Sequence, residues 1–179
     1  MTTLAITGHT SGLGEFLANY LSENYQVTGL SRKNGYHLIR KQDLAVQEIL
    51  THDVFINNAH KDFVQTELFN KVFSEWKTDN SKTIINLNCI QKFNKDTENK
   101  NLAFQYNQLD SVSRKAYLDH ANTKCKVFTL TLGFLTKYDD GRDGPRLKYP
   151  DVAKVIDWVL QMPANTEITE LTLLPRSIK

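Results

Sequence analysis

The sequence predicts an α/β fold, a doubly wound parallel sheet in three α/β/α layers. Two observations carry this. Short apolar runs alternate with amphipathic helical stripes along the whole chain, which is the pattern of a parallel sheet covered on both faces. Most of the runs stop at glycine, asparagine or a polar turn, where a right-handed crossover would begin.

Leu4-Ala5-Ile6 is the first strand and stops at Gly8. Phe16, Leu17, Tyr20 and Leu21 recur at three- and four-residue spacing and predict a helix. Val27 to Leu30 reads as a second strand, closed by Ser31-Arg32-Lys33-Asn34-Gly35. Val54-Phe55-Ile56 is a third, ending at Asn57-Asn58. Val64, Leu68, Val72 and Trp76 repeat every fourth residue and place a helix over Phe63 to Trp76. Thr83 to Leu87 is a fourth strand, and the polar, lysine-rich stretch Gln91 to Asn101 reads as a loop. Leu109, Val112, Ala116, Tyr117 and His120 form a helical stripe, and Val127 to Leu132 a strand ended by Gly133. Tyr138 to Lys148 holds Gly141, Gly144 and Pro145 and reads as a loop. Val152, Val155, Ile156 and Val159 mark a last helix, and Ile168 to Leu174 a last strand.

The 179 residues fit one domain spanning 1–179. With 22 Lys+Arg against 20 Asp+Glu, the chain lacks the basic excess of a dedicated nucleic-acid binder. Cys89 and Cys125 are too few for a disulfide framework and lack zinc-ligand spacing. The five histidines show neither HxxxH nor HxH spacing, so no metal site is expected. The chain holds no run of about 18 apolar residues, and Met1 to Thr7 has no basic signal-peptide region, so a cytoplasmic protein is expected.

Ligands of doubly wound sheets sit beyond the carboxyl ends of the strands. After the first strand stands Thr7-Gly8-His9-Thr10-Ser11-Gly12-Leu13-Gly14-Glu15, directly before a helix. Glycines let the backbone approach a ligand, and a helix start offers free N–H groups to phosphate. The alternative is a glycine turn that only joins strand to helix. After the second strand stand Ser31, Arg32 and Lys33. An acidic residue there would favour NAD(H), whereas a basic one accommodates the 2′-phosphate of NADP(H). Arg32 is the better candidate because it bonds phosphate bidentately, and His9 could lie near the same phosphate. Both basic residues could instead be solvated loop charges.

These pieces resemble the short-chain dehydrogenase/reductase family, whose fold is Rossmann-like. Thr7 to Gly14 is similar to its TGxxxGxG cofactor motif. Asn57-Asn58-Ala59-His60 resembles NNAG, with His60 replacing glycine, and Ile85 to Cys89 resembles the NISS strand. Gly133-Phe134-Leu135-Thr136 resembles PGxxxT with Leu132 in place of proline, and Pro150 to Ala153 resembles PEDVA. The wording around Gly35-Tyr36 and Ile56 to His60 is similar to compact members found in bacteriophage genomes, which would place the protein in a host cytoplasm. The resemblance implies NADP(H) or NAD(H) held by Gly8, His9, Thr10, Ser11, Gly12, Leu13, Gly14, Ser31, Arg32, Asn58, Ala59 and Thr136. It also implies hydride transfer between nicotinamide and a carbonyl or alcohol.

The family's serine, tyrosine and lysine do not appear where they are expected. Asp110-Ser111-Val112-Ser113-Arg114 aligns with YxxSK, so Asp110 stands for tyrosine, Arg114 for lysine and Cys89 for serine. Asp110 and Arg114, four apart, can pair on one helical face. Standard dehydrogenase chemistry is then expected to be weak or absent. The alternative is an active oxidoreductase with a rearranged proton donor, Tyr106, one turn before Asp110. The resemblance further implies a homo-oligomer through the helix around Leu109 to Ala121. It also implies little room for a substrate lid after Thr136.

Overall fold

The computed structural model describes residues 1–93, 100–119, 121–136, 145–163 and 165–176. In chain order the elements are β1 (Thr3–Thr7), α1 (Gly12–Leu21), β2 (Gln26–Leu30), α2 (Gln42–Leu50), β3 (Val54–Asn57), α3 (Val64–Trp76), β4 (Thr83–Cys89), α4 (Lys100–Leu118), β5 (Lys126–Leu132), β6 (Leu135–Thr136), β7 (Leu147–Lys148), α5 (Tyr149–Leu160) and β8 (Glu170–Leu173). Short 3-10 turns occupy Arg32–Asn34 and Ile90–Phe93.

Successive side chains of a strand point to opposite faces, and both faces are covered here. In β1, Leu4 and Ile6 face a core with Leu13, Leu17 and Leu21 of α1 and Val152, Ala153 and Ile156 of α5. Ala5, between them, faces the other core, built with Val46 and Ile49 of α2, Leu68 and Val72 of α3, and Leu109 and Ala116 of α4. This double burial is why the strands read as apolar runs. The result is the predicted three-layer sheet, in the order β2-β1-β3-β4-β5-β8 with every pair parallel.

Three local expectations change. Part of the stretch read as a loop is ordered: Ile90–Phe93 is a 3-10 turn, and Lys100 already opens α4. Helix α2 was not anticipated, because only Ala45, Val46 and Ile49 are buried and no side chain caps its start. Leu147 and Lys148, read as the end of a loop, pair in parallel with Leu135 and Thr136. His120, and residues 137–144 where the lid was expected to be short, lie outside the described residues.

Candidate dinucleotide site

From β1 the chain crosses to β2 on one side, then returns to place β3 on the other. Such a reversal opens a crevice at the carboxyl ends of the strands. A cleft of about 650 Å³ occupies this position. That is within the range of roughly 300–1,000 Å³ typical of small-molecule sites.

The glycine turn forms its floor. Gly8 has φ +74° and Gly12 φ +59°, conformations that a side chain would strain. The Gly8 N–H donates to the Leu30 carbonyl at 2.9 Å. A Cβ on Gly14 would lie 2.3 Å from the Gly8 carbonyl oxygen and 2.5 Å from Asn58 Nδ2, so helix α1 meets the turn backbone to backbone. Thr7 joins this turn to the one after β3. Its Oγ1 accepts from the N–H groups of Asn58 and Ala59, each at 3.0 Å, and its carbonyl accepts from Asn58 Nδ2 at 2.9 Å. The Ser11 side chain makes no capping bond at the start of α1.

Gly8, Thr10, Ser11, Leu13 and Gly14 line the cleft, together with Ser31, Arg32, Asn58 and Ala59. His9, Gly12 and Thr136 do not. The His9 ring packs against Gly29, and its Nδ1 is buried without a hydrogen bond. Gly12 borders Tyr149 of α5, and Thr136 is buried on β6. At the β2 corner, buried Ser31 and exposed Asn34 together cap the turn: Asn34 Oδ1 accepts from the Ser31 N–H at 2.9 Å, and Ser31 Oγ accepts from the Lys33 N–H at 3.2 Å. This fixes the turn that carries exposed Arg32 and Lys33 into the cleft. Arg32 makes no ion pair with another described residue.

The positions expected to hold catalytic groups separate into two clusters. Asp110 pairs with Arg114 at 3.2 Å, as its spacing predicts, and also with Lys92 Nζ at 2.6 Å. Arg114 reaches on to Glu170 of β8 at 2.8 Å, and the Tyr117 hydroxyl donates to the same carboxylate. Glu170 and Asp110 both raise the Arg114 pKa. Lys92 was missed, because a lysine in a polar run reads as solvated; Asp110, 18 residues on, accounts for its burial.

The second cluster is Cys89, Tyr106 and His60. Burial, followed by the charge of the neighbouring Cys89 sulfur, pushes the Tyr106 pKa up to about 12. Burial likewise raises the Cys89 thiol. The His60 ring stacks on Tyr106 with centroids 4.4 Å apart. His60 itself lines the cleft, so it stands between the cleft and the Cys89–Tyr106 pair.

Buried amides hold this arrangement. Asn57 Nδ2 donates to Asn86 Oδ1 at 2.9 Å, Asn86 Nδ2 donates to Ser113 Oγ at 2.9 Å, and Ser113 Oγ donates to the Leu109 carbonyl at 2.7 Å. The chain of bonds ties β3 to β4 and β4 to α4.

A glycine turn opening onto a switch-point crevice defines the Rossmann-like α/β class. By sequence, no family profile and no curated protein matches the chain. By structure, it is similar to a short-chain dehydrogenase from Burkholderia cenocepacia solved in complex with NADP, with a TM-score of 0.77 and 17% identity, covering 96% of this chain and 87% of that one. A β-ketoacyl-acyl-carrier-protein reductase from Bacteroides thetaiotaomicron matches with a TM-score of 0.75 and 17% identity over 98% of both chains. Serine dehydrogenase from Escherichia coli matches at 0.74 and 17% over 96% of both. The fold is that of short-chain dehydrogenases. Among the described residues, no helix is long and apolar enough to cross a membrane, and no three potential ligand side chains cluster around a metal position.

Proposed function

We propose that this chain binds a nicotinamide dinucleotide in the cleft, NADP(H) in preference to NAD(H). The observation that carries the reading is the glycine turn at the switch point, pinned by Thr7 to Asn58 and Ala59, with Gly14 leaving no room for a side chain. Gly8, Thr10, Ser11 and Gly14 would hold the phosphates beside the uncapped start of α1. Arg32 would take the 2′-phosphate. His9 and Thr136 stand outside the described residues that line the cleft. When bound, the nicotinamide supplies a hydride acceptor or donor.

Standard short-chain dehydrogenase chemistry is weak or absent in this reading. Asp110 stands where the family's proton donor would be, and its two oxygens are engaged by Lys92 and Arg114. A second reading, an oxidoreductase with Tyr106 as relocated donor, is favoured by one observation: Tyr106 neighbours Cys89, at the position that resembles the family's serine. The family resemblance also assigns α4 to a second copy of the chain, within a host cytoplasm.

Calorimetry with NADPH and NADH tests the binding. NADPH binds more tightly than NADH, and Arg32→Ala removes that difference. A charge-assisted bond is worth about 1.5–3 kcal/mol, so NADPH affinity falls about ten- to a hundredfold while NADH affinity is unchanged. No NADPH binding at millimolar concentration overturns the proposal.

A further inference from the structure

We infer that His60 is the proton acceptor of the cleft, the proton of its neutral ring lying on Nδ1 so that the Nε2 lone pair is presented to a hydroxyl or N–H group of the bound ligand. The inference rests on reading the cleft as a dinucleotide site, and the argument runs through Gln65.

Gln65 is buried in the first turn of α3. Its Nε2 lies 2.8 Å from the Asn57 carbonyl and 2.9 Å from the Leu87 carbonyl. Both are acceptors only, so the amide nitrogen must face them and both of its protons are used. The Gln65 Oε1 is therefore an acceptor, and it lies 3.1 Å from His60 Nδ1. An acceptor facing Nδ1 fixes the proton there. In the neutral ring the other nitrogen, Nε2, then carries a lone pair.

His60 is exposed on the cleft wall, and its Nε2 bonds to no described residue. Stacking on Tyr106 fixes the plane of the ring, and the Gln65 bond fixes its rotation. The two neighbouring groups, Tyr106 and Cys89, keep their protons, because burial raises both. Of the three, only the imidazole nitrogen is basic enough to take up a proton. When a ligand hydroxyl lies on Nε2, its O–H bond breaks, the electron pair stays on oxygen, and a new N–H bond forms. The resulting imidazolium keeps its Nδ1–H on Gln65, so nothing in the protein has to turn.

Two measurements on the full chain test this. Long-range proton–nitrogen correlation spectra of histidine-labelled protein, without ligand, show which ring nitrogen is protonated, with His60→Gln assigning the signal. A protonated Nδ1 and a bare Nε2 are expected; the proton on Nε2 overturns the inference. Diethyl pyrocarbonate acylates bare imidazole nitrogens, and peptide mass spectrometry locates the adduct. Carbethoxylation at His60 is expected, and NADPH at about ten times its Kd slows it about tenfold by occupancy. A His60 that reacts equally fast with NADPH bound overturns the inference while leaving the cofactor reading intact. Absence of NADPH binding by calorimetry overturns the cofactor reading instead, and the nitrogen signals then still decide the tautomer.

Discussion

Asp110 is held by two cations, Lys92 at 2.6 Å and Arg114 at 3.2 Å. Its partner Lys92 has a side chain only 5% exposed, and Asp110 itself is 15% exposed. Removing one member of a buried pair leaves the other charge uncompensated, which costs about 3–5 kcal/mol. Asp110→Ala is therefore expected to lower the urea midpoint strongly, and Lys92→Met with Asp110→Leu to recover most of the loss. A single variant as stable as the wild type would show that Lys92 reaches water. At this scale the sequence was half readable. Spacing alone placed Arg114 on Asp110. It could not place Lys92, nor fix the proton on His60, because both depend on contacts with groups distant in the chain or across the sheet. Tyr106 was legible as a helical neighbour of Asp110, but it comes beside Cys89 only when α4 packs against the end of β4.

Among the elements, β1 and β3 are clamped at the edge opposite the cleft. Asp53, just before β3, accepts from the Thr3 N–H at 2.9 Å and the Thr3 hydroxyl at 2.8 Å, and its own N–H donates to Thr3 Oγ1 at 3.0 Å. The Thr3 backbone bond, then its hydroxyl and Lys82, hold the Asp53 carboxyl below its ordinary range against the opposing effect of burial. A carboxyl lowered by folding stabilises above its unfolded pKa, near about 3.9, and loses that contribution as pH falls through the lower folded value. Asp53→Asn should thus be less stable than the wild type at pH 7, by less than about 1 kcal/mol given the solvent exposure of the group. The gap should close in urea titrations carried from about pH 4 toward pH 2; a gap constant with pH would refute the clamp. Legibility at this scale followed burial. Strands buried on both faces and helices with long apolar stripes were plain, whereas α2 buries three residues and β6 and β7 are two residues each. Two residues have no periodicity to read. The start of α4 was lost for a related reason: Lys100, Asn101 and Phe104 are exposed, so the first turn shows polar residues and one stray aromatic.

In the whole molecule, α4 turns its predicted apolar stripe inward. Leu109, Ala116 and Tyr117 are buried in the core, which leaves Leu118 and Phe104 exposed on the helix. Phe104, Ser111 and Leu118 follow one another at seven-residue spacing, so the three share one outer line. If the family's pairing through this helix holds, light scattering at tens of micromolar gives about twice the 20.5 kDa chain mass, and Leu118→Glu returns it to one. A wild-type mass of a single chain would refute it.

The strict parallelism of the sheet divides the molecule into a chemical end and a mechanical end. Every strand of the six-stranded sheet delivers its carboxyl terminus to the same side, so the turns that enter the cleft never mix with those that return from the helices. At the far end, the tight turn between α3 and β4 is closed by Asp79, which accepts from the Ser81 N–H and hydroxyl. This turn is exposed and separated from the cleft by the length of β4. A fluorophore, affinity handle or surface tether attached there would report on the cleft without touching it.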